Sequence, residues 1–223
     1  MRKNISKCCS GILQKNPAVR IAIVQVIDKD TVSYQYAIQS VLCYSSIQNY
    51  EVRLLNGSVH QDLSCPHRNI FFRRHCLVAQ FLRDSSKVNY VLFMDSDIGV
   101  VNPKRRIEDF VDSKMEIIFY DRFFNWEVAA GSYLVKNSNW SQAFLRGKNY
   151  EYRLPKSFHG NDNGALHAYL AERILPKNNV ELPVCLHIYN HTKNYADLFL
   201  YEACIRNTLG NNITFGKIKI LRK

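Results

Sequence analysis

This 223-residue chain has few acidic residues, and it lacks Cys-x-x-Cys pairs and long apolar runs. It has 19 acidic residues against 30 basic ones, a formal net charge of +11. Strong positive charge attracts phosphorylated ligands or polyanions, but it does not specify a fold. The basic residues are scattered and no nucleic-acid-binding motif accompanies them, so we expect no nucleic acid partner.

No apolar run is long enough to cross a membrane, which takes about 20 consecutive apolar residues. The longest uncharged stretch, residues 31–50, is rich in Tyr, Gln and Ser. The basic N-terminus is not followed by an apolar segment, so no signal peptide or anchor is visible. We therefore expect no transmembrane segment in this chain and a flexible lead-in over residues 1–19.

The seven cysteines include no Cys-x-x-Cys pair, which argues against a structural zinc site. Cys43 and Cys76 lie in apolar helical contexts and are interpreted as core residues. The chain also has more Asn-x-Ser/Thr sequons than the roughly two that chance would supply, which favours a secretory-pathway origin. These five sequons begin at Asn4, Asn56, Asn139, Asn190 and Asn212.

The chain does contain apolar strands that alternate with amphipathic helices. Residues 21–28 form a continuous β-branched run, which predicts a buried strand. The order strand, helix, strand, helix, strand predicts a mostly parallel α/β sheet flanked by helices, in one domain over residues 20–223. The predicted strands are 21–28, 50–56, 89–94, 115–120, 127–137 and 216–221, and the predicted helices are 33–44, 71–84, 105–112, 137–147 and 162–175.

Asp95 and Asp97 follow the third predicted strand in VLFMDSDIGVVNP. Ligands of open α/β sheets bind at the carboxyl ends of strands, and Asp28 ends the first strand. Two carboxylates one residue apart suit a hard cation such as Mn²⁺ or Mg²⁺, which would neutralise a diphosphate leaving group. The alternative is a strand-end turn in which the Asp side chains bond backbone N–H groups.

Two enzyme chemistries use such a motif. In haloacid-dehalogenase-type phosphohydrolases the first Asp is a nucleophile on the first strand. That family has Thr or Val two residues after the second Asp, where Gly99 stands here. In GT-A glycosyltransferases an Asp-x-Asp pair binds Mn²⁺ and the diphosphate of a nucleotide sugar, and a third-strand position suits this second chemistry.

Three segments together show a family likeness: NYVLFMDSDIGVVNP, IIFYDRFFNWEVAAGSYLVKNSNWSQAFL and LPKSFHGNDNGALHAYL. In this order they resemble a nematode-expanded family of uncharacterised proteins, itself similar to GT-A nucleotide-sugar transferases of the α-galactosyl and α-mannosyl type. The resemblance covers most of the chain. It implies a Rossmann-like GT-A fold and retaining transfer of a hexose from a nucleotide-diphosphate sugar to a glycan acceptor, in the lumen of the Golgi or secretory pathway.

The resemblance also implies roles for residues around the Asp-x-Asp pair. Asp95 and Asp97 would bind the metal and the nucleotide sugar, with Asp97 the more direct metal ligand. Asp28 would join the donor site by its strand-end position. The helix before the motif has three candidates for phosphate contact, Arg73, Arg74 and His75, of which we select Arg74. The alternative is a solvated helix surface.

Further along the chain, small residues and a polar segment complete the candidate site. Ala130, Gly131 and Ser132 would line the donor sugar, and tight strand packing is the alternative. Asp162, with Asn161 and His159 nearby, would lie beside the anomeric carbon and stabilise an oxocarbenium-like transition state or orient the acceptor hydroxyl. The alternative for Asp162 is the N-cap of the helix that follows.

The chain departs from the family pattern at its C-terminus. Related transferases place a further metal ligand, commonly a His, beyond the last strand, whereas this chain ends at Lys223. We therefore expect a domain truncated at the C-terminus, with metal binding left to Asp95 and Asp97. A catalytically impaired nucleotide- or glycan-binding module is the second hypothesis, and an Asp-x-Asp phosphohydrolase is the third.

Overall fold

The computed structural model describes residues 19–28, 31–57, 64–122, 127–147, 161–166, 213–215 and 217–221. Strands, helices and two 3-10 turns alternate along these residues. The strands are β1 (Ile21–Ile27), β2 (Glu51–Asn56), β3 (Tyr90–Met94), β4 (Ile117–Arg122), β5 (Glu127–Lys136), β6 (Ile213–Phe215) and β7 (Ile218–Leu221). The helices are α1 (Gln35–Gln48), α2 (Ile70–Asp84) and α3 (Asn139–Leu145), with 3-10 helices at Thr31–Tyr34 and Ile107–Phe110 and helical residues at 162–166.

The strands form one sheet in the order β2-β1-β3-β5-β4-β7-β6. β1 pairs in parallel with β2 and β3, β4 pairs in parallel with β7, and the short β6 runs antiparallel to β7. The predicted α/β class, a mostly parallel sheet with flanking helices, is confirmed. In the described part of the chain, no helix is long and apolar enough to cross a membrane.

Two compact units can be distinguished within the chain. The first comprises residues 1–116 and 134–148, and the second comprises residues 117–133 and 149–223. In the first unit β1 is buried along its whole length, because it has a hydrogen-bonded neighbour on each side and both faces are covered. In the second unit β4 and β7 pair in register from Ile117 and Ile218, both of which are buried. The predicted domain bounds of 20–223 stay a prediction.

One helical prediction is wrong in type, and another is only partly covered by the described residues. The helix predicted over 105–112 is a single 3-10 turn, because Ile107 N donates to Tyr50 Oη at 3.1 Å and Val111 N closes back on Glu108 O at 3.1 Å. The helix predicted over 162–175 is present at residues 162–166, and the rest lies outside the described residues.

The region before α2 contains a covalent link that the sequence pattern did not predict. Asn69 caps α2, its Oδ1 accepting from Phe71 N at 2.9 Å. Cys76 of α2 forms a disulfide with Cys65, and both residues are buried. Cys76 is a buried core residue, as interpreted, but its covalent partner was not predicted, because spacing alone does not determine which thiols meet in space.

Candidate active site

The candidate site begins with a tight turn at the end of β3. Ile98 N donates to Asp95 O at 3.0 Å, so residues 95–98 form a turn with the two carboxylates at its first and third positions. Because β1 and β3 are parallel neighbours, Asp28 after β1 lies at the same edge of the sheet as Asp95 after β3. Three carboxylates predicted for donor or metal binding thus share the carboxyl edge of the first unit.

Arg74 of α2 bonds the first carboxylate of this turn. Its Nη1 donates to Asp95 Oδ1 at 2.5 Å, and the two side chains are 11% and 23% exposed. The guanidinium also lies 5.1 Å from the ring centre of Phe71 and 5.7 Å from that of Phe93. These cation–π contacts and the charge-assisted hydrogen bond hold Arg74 in one place. The structure thus brings together Arg74 and Asp95, which lie 21 residues apart in sequence.

Asp97 differs from Asp95 in its surroundings. Its side chain is exposed, and among the residues that the structure describes nothing bonds its carboxylate. The same residues contain no cluster of three or more His, Cys, Asp or Glu side chains able to hold a metal. Mg²⁺-type ions are, however, commonly held by one or two carboxylates together with substrate phosphates. The residues present therefore fit a cation shared with a bound diphosphate.

Gln25 of β1 bonds the turn, and it is not among the residues predicted from the sequence. The residue lies in the middle of β1 and is fully buried. Its Nε2 donates to Asp95 O at 3.0 Å and to Ile98 O at 3.3 Å. A single amide in an otherwise apolar strand, IAIVQVI, is the signal that could have identified it.

The segment after the turn is hydrogen-bonded to side chains of α1. Three α1 side chains spaced four residues apart face its backbone, so they lie on one stripe of the helix. Ser40 Oγ accepts from Val100 N at 2.9 Å, Tyr44 Oη donates to Arg105 O at 2.7 Å, and Gln48 Nε2 donates to Pro103 O at 2.7 Å. Residues 100–105 therefore have a defined backbone path directly after the carboxylates.

An ionisable cluster anchors the far end of this segment. Tyr50 Oη donates to Glu108 Oε2, and Arg106 Nη2 donates to Glu108 Oε1 at 2.9 Å. Burial raises the pKa of Glu108, but the hydrogen bonds from Arg106 and Tyr50 outweigh it, and the pKa lies below its usual value. Burial, and then the bond to Glu108, raises the pKa of Tyr50, and burial likewise raises that of Tyr44. We assign these groups a structural role, since they hold the backbone in place.

The small residues of β5 lie in the second unit. Ala130 and Gly131 are buried and Ser132 is half-buried, which agrees with the strand-packing interpretation. Ala130 N donates to Asn163 Oδ1 at 2.8 Å, so β5 is bonded to the polar segment around residue 162. Sequence analysis did not select Asn163, although it directly follows Asp162. Lining of a donor sugar by residues 130–132 stays a prediction.

Asp162 is buried at the first turn of the helical residues 162–166, and its Oδ1 accepts from Asn163 N at 3.0 Å. Asn161 precedes this turn, and its carbonyl accepts from Ala165 N at 3.0 Å. Asn161, not Asp162, therefore holds the N-cap position. His159 lies outside the described residues, and the catalytic roles predicted for these three residues stay predictions.

Comparison with known proteins identifies the family. The family described as "Protein of unknown function, DUF273" matches residues 41–223, so the chain belongs to that family. No curated protein matches the chain.

Solved structures similar to the chain include glycosyltransferases, as the sequence resemblance implied. A glycosyltransferase involved in the glycosylation of the major capsid of PBCV-1 has a TM-score of 0.50 at 17% identity, over 62% of this chain and 71% of that one. The apo form of GlyE from Streptococcus pneumoniae TIGR4 has a TM-score of 0.46 at 17% identity, over 69% and 44%. A Drosophila β1,4-galactosyltransferase 7 variant with manganese, UDP-Gal and xylobiose has a TM-score of 0.37 at 14% identity, over 53% and 50%. At these identities the likeness shows the fold alone.

Proposed function

We propose that this DUF273 protein is a metal-dependent glycosyltransferase that transfers a hexose from a nucleotide-diphosphate sugar to a glycan acceptor with retention of configuration. The observation that carries the proposal is the turn at residues 95–98. It sits at the carboxyl edge of a parallel sheet, where ligands of such sheets bind. It exposes the carboxylate of Asp97 and holds that of Asp95 against Arg74.

Asp97 and Asp95 are the residues that would hold Mn²⁺ or Mg²⁺. When bound, the ion would neutralise negative charge on the diphosphate leaving group. Arg74 supplies a permanent positive charge at the same turn, and its planar donors suit phosphate oxygens as well as carboxylates. We expect Asp28 to contact the nucleotide from the neighbouring strand end.

In the second unit we propose the roles that the family resemblance implies. Residues 130–132 would line the donor sugar, and Asp162, Asn161 and His159 would act at the anomeric centre. Burial of Asp162 supports this role, since a carboxylate shielded from water interacts more strongly with developing positive charge. The bond from Ala130 N to Asn163 Oδ1 would keep the small residues and this carboxylate in a constant relation.

The surroundings of the turn disfavour a phosphohydrolase. Gly99 stands where that chemistry has Thr or Val, and a Cβ there would lie 2.7 Å from Ser40 Oγ and 3.3 Å from Ala37 Cα. Asp95, which would be the nucleophile, already accepts a short hydrogen bond from Arg74. A carboxylate engaged by a guanidinium is a poorer nucleophile than an unengaged one, because its charge is stabilised.

The disulfide bears on the compartment in which the protein works. Disulfides persist in oxidising environments and are rare in the cytosol. The Cys65–Cys76 bond and the five sequons therefore support a location in the lumen of the secretory pathway, such as the Golgi.

Calorimetry of the purified chain with UDP or GDP, in the presence and absence of Mn²⁺, tests the proposal. We expect one nucleotide to bind only with Mn²⁺, and Asp97→Ala to abolish this binding. The control is Asp84→Ala, which removes an exposed carboxylate paired with Arg83 at the end of α2. Nucleotide binding by Asp97→Ala equal to that of the unmodified chain would contradict a metal role for this carboxylate.

The same preparation separates the competing functions. Transfer from the preferred nucleotide sugar, with the anomeric configuration of the product determined by NMR, would support a retaining transferase. Mn²⁺-dependent binding without transfer would favour the binding module. Release of phosphate from an aryl phosphate, lost in Asp95→Asn, would favour the phosphohydrolase.

A further inference from the structure

We propose that Gln25 is a positioning residue that sets the conformation of the turn carrying Asp95 and Asp97, and through it the affinity for the divalent cation and donor diphosphate. The second half of this inference rests on the proposed function. The first half, control of the turn, stands on the geometry of the first unit alone.

Gln25 occupies a place where a polar side chain is unfavourable. It is fully buried in a strand whose other six residues are apolar. Burying an amide is unfavourable unless its hydrogen bonds are replaced. The amide nitrogen has two hydrogens, and Asp95 O and Ile98 O accept one each, at 3.0 and 3.3 Å.

These two carbonyls are the first and last of the turn. The turn is closed by the bond from Ile98 N to Asp95 O, and the Gln25 amide group bonds the carbonyl at each end. The peptide planes at both ends are thereby tied to β1. Since the directions of the Asp95 and Asp97 side chains follow from those backbone angles, one buried amide controls how both carboxylates are presented.

The other end of the amide shows that stability alone does not explain this residue. Among the described residues, Gln25 Oε1 is buried and has no hydrogen-bond partner. An unsatisfied buried acceptor is destabilising, whereas a methionine of similar length would fill the same space without that penalty. We infer that the glutamine is placed here for the two bonds that its nitrogen donates.

The substitution Gln25→Met tests the inference because it keeps the volume and removes both donors. We expect the melting temperature to stay within a few degrees, since one unfavourable acceptor is lost together with two hydrogen bonds. We expect Mn²⁺ affinity in the presence of UDP to fall about 10- to 100-fold, the usual effect of removing a group that orients metal ligands. Calorimetry and the EPR signal of unbound Mn²⁺ measure this affinity.

Two further variants make the result specific. Gln142→Met, on α3, removes an amide that donates to Asn137 Oδ1 and should leave the affinity unchanged. Gln25→Leu repeats the test with another apolar side chain. Unchanged affinity in folded Gln25→Met overturns the metal half of the proposal. Failure of both Gln25 variants to fold overturns it as a whole, because the residue would then act on stability.

Hydrogen exchange without any ligand separates this inference from the proposed function. Gln25→Met should speed exchange of the Ile98 amide, which closes the turn, and leave the Gln142 region unchanged. Faster exchange in a chain that binds neither Mn²⁺ nor UDP would support control of the turn while rejecting the metal-dependent transferase. Equal exchange in the variant and the unmodified chain would overturn control of the turn, whatever the ligand results.

Discussion

Individual residues at the Asp-x-Asp turn are constrained from three sides. Gln25 bonds the turn from β1, Arg74 bonds Asp95 from α2, and α1 packs against Gly99. Only Asp97 is left exposed with no bond to the described residues. The turn is therefore preorganised, with the carboxylate of Asp97 the more exposed of its two, as expected of a ligand-binding position whose supporting groups are packed.

Gly99, directly after the turn, lies so close to α1 that a side chain there would meet its atoms. We expect Gly99→Ala to lower the free energy of unfolding by about 1–3 kcal/mol, the usual penalty of overpacking a packed position. The physical reason is that the added Cβ would meet Ser40 Oγ at 2.7 Å and the α1 backbone at Ala37 Cα at 3.3 Å. Urea denaturation measures the change.

The double variant Gly99→Ala, Ser40→Ala provides the control. Removing Ser40 Oγ relieves the shorter of the two contacts. Gly99→Ala should therefore lower the free energy of unfolding by less in the Ser40→Ala background than in the wild type. Wild-type stability of Gly99→Ala would show that the neighbours of Gly99 can move aside without penalty, and the close approach to α1 would then not be a constraint.

At the scale of elements, α1 holds the backbone of the segment that follows β3 by side-chain hydrogen bonds. Its side chains at positions 40, 44 and 48 bond the backbone of residues 100–105. The 3-10 helix that follows is bonded by Tyr50, whose Oη accepts from Ile107 N and donates to Glu108. Long irregular segments are usually mobile. This one is bonded to α1 at Val100, Pro103 and Arg105, so its backbone is held in a defined path after the carboxylates.

The Glu108 cluster predicts a pH dependence of stability. The pKa of Glu108 in the folded chain lies below its usual value of 4.5. Such a group stabilises the fold above the unfolded-state pKa, and the stabilisation is lost as the pH falls through the lower, folded-state pKa. We expect Glu108→Gln to be about 1.5–3 kcal/mol less stable than the wild type at pH 7, the range for hydrogen bonds to a charged group.

The difference between these two proteins should shrink as the pH falls below 4.5, because Glu108 then becomes protonated in the wild type. Urea unfolding between pH 7 and pH 3 measures it. Glu51→Gln is the matched control, because Glu51 belongs to an exposed pair with Arg53 and such pairs contribute little. A constant difference across the whole pH range would contradict the assignment to Glu108.

At the scale of the whole molecule, the Cys65–Cys76 bond links the segment before α2 to the helix that supplies Arg74. We expect Cys65→Ser, or complete reduction, to lower the free energy of unfolding by about 2–4 kcal/mol, because closing a loop restricts the unfolded chain. Denaturation with and without reductant measures the loss, and mass spectrometry of unreduced peptides locates the bond. Cys43→Ser, on α1, is the control, and equal stability of the Cys65 and Cys43 variants would contradict a stabilising disulfide.

The sequence by itself determined the architecture around the site. The β1, α2 and β3 patterns are local, since burial repeats along a strand or helix with its own period, and each was predicted within a few residues of its observed bounds. Strand–helix–strand order then implies parallel pairing, because crossovers join strands in only a few ways. These two steps placed Asp28 and Asp95 at one sheet edge without any coordinates.

Only the tertiary structure decided which side chains support that edge. Gln25 and Asp95 are 70 residues apart, Arg74 and Asp95 are 21 apart, and Cys65 and Cys76 are 11 apart. Period and composition describe which face a residue occupies, and they contain no information on which partner it meets across that face. The short β6 was missed for a related reason, since three residues show no period. The sequence therefore located the two carboxylates. Only the folded structure shows that the Gln25 amide and the Arg74 guanidinium bond Asp95 and that Asp97 is left exposed.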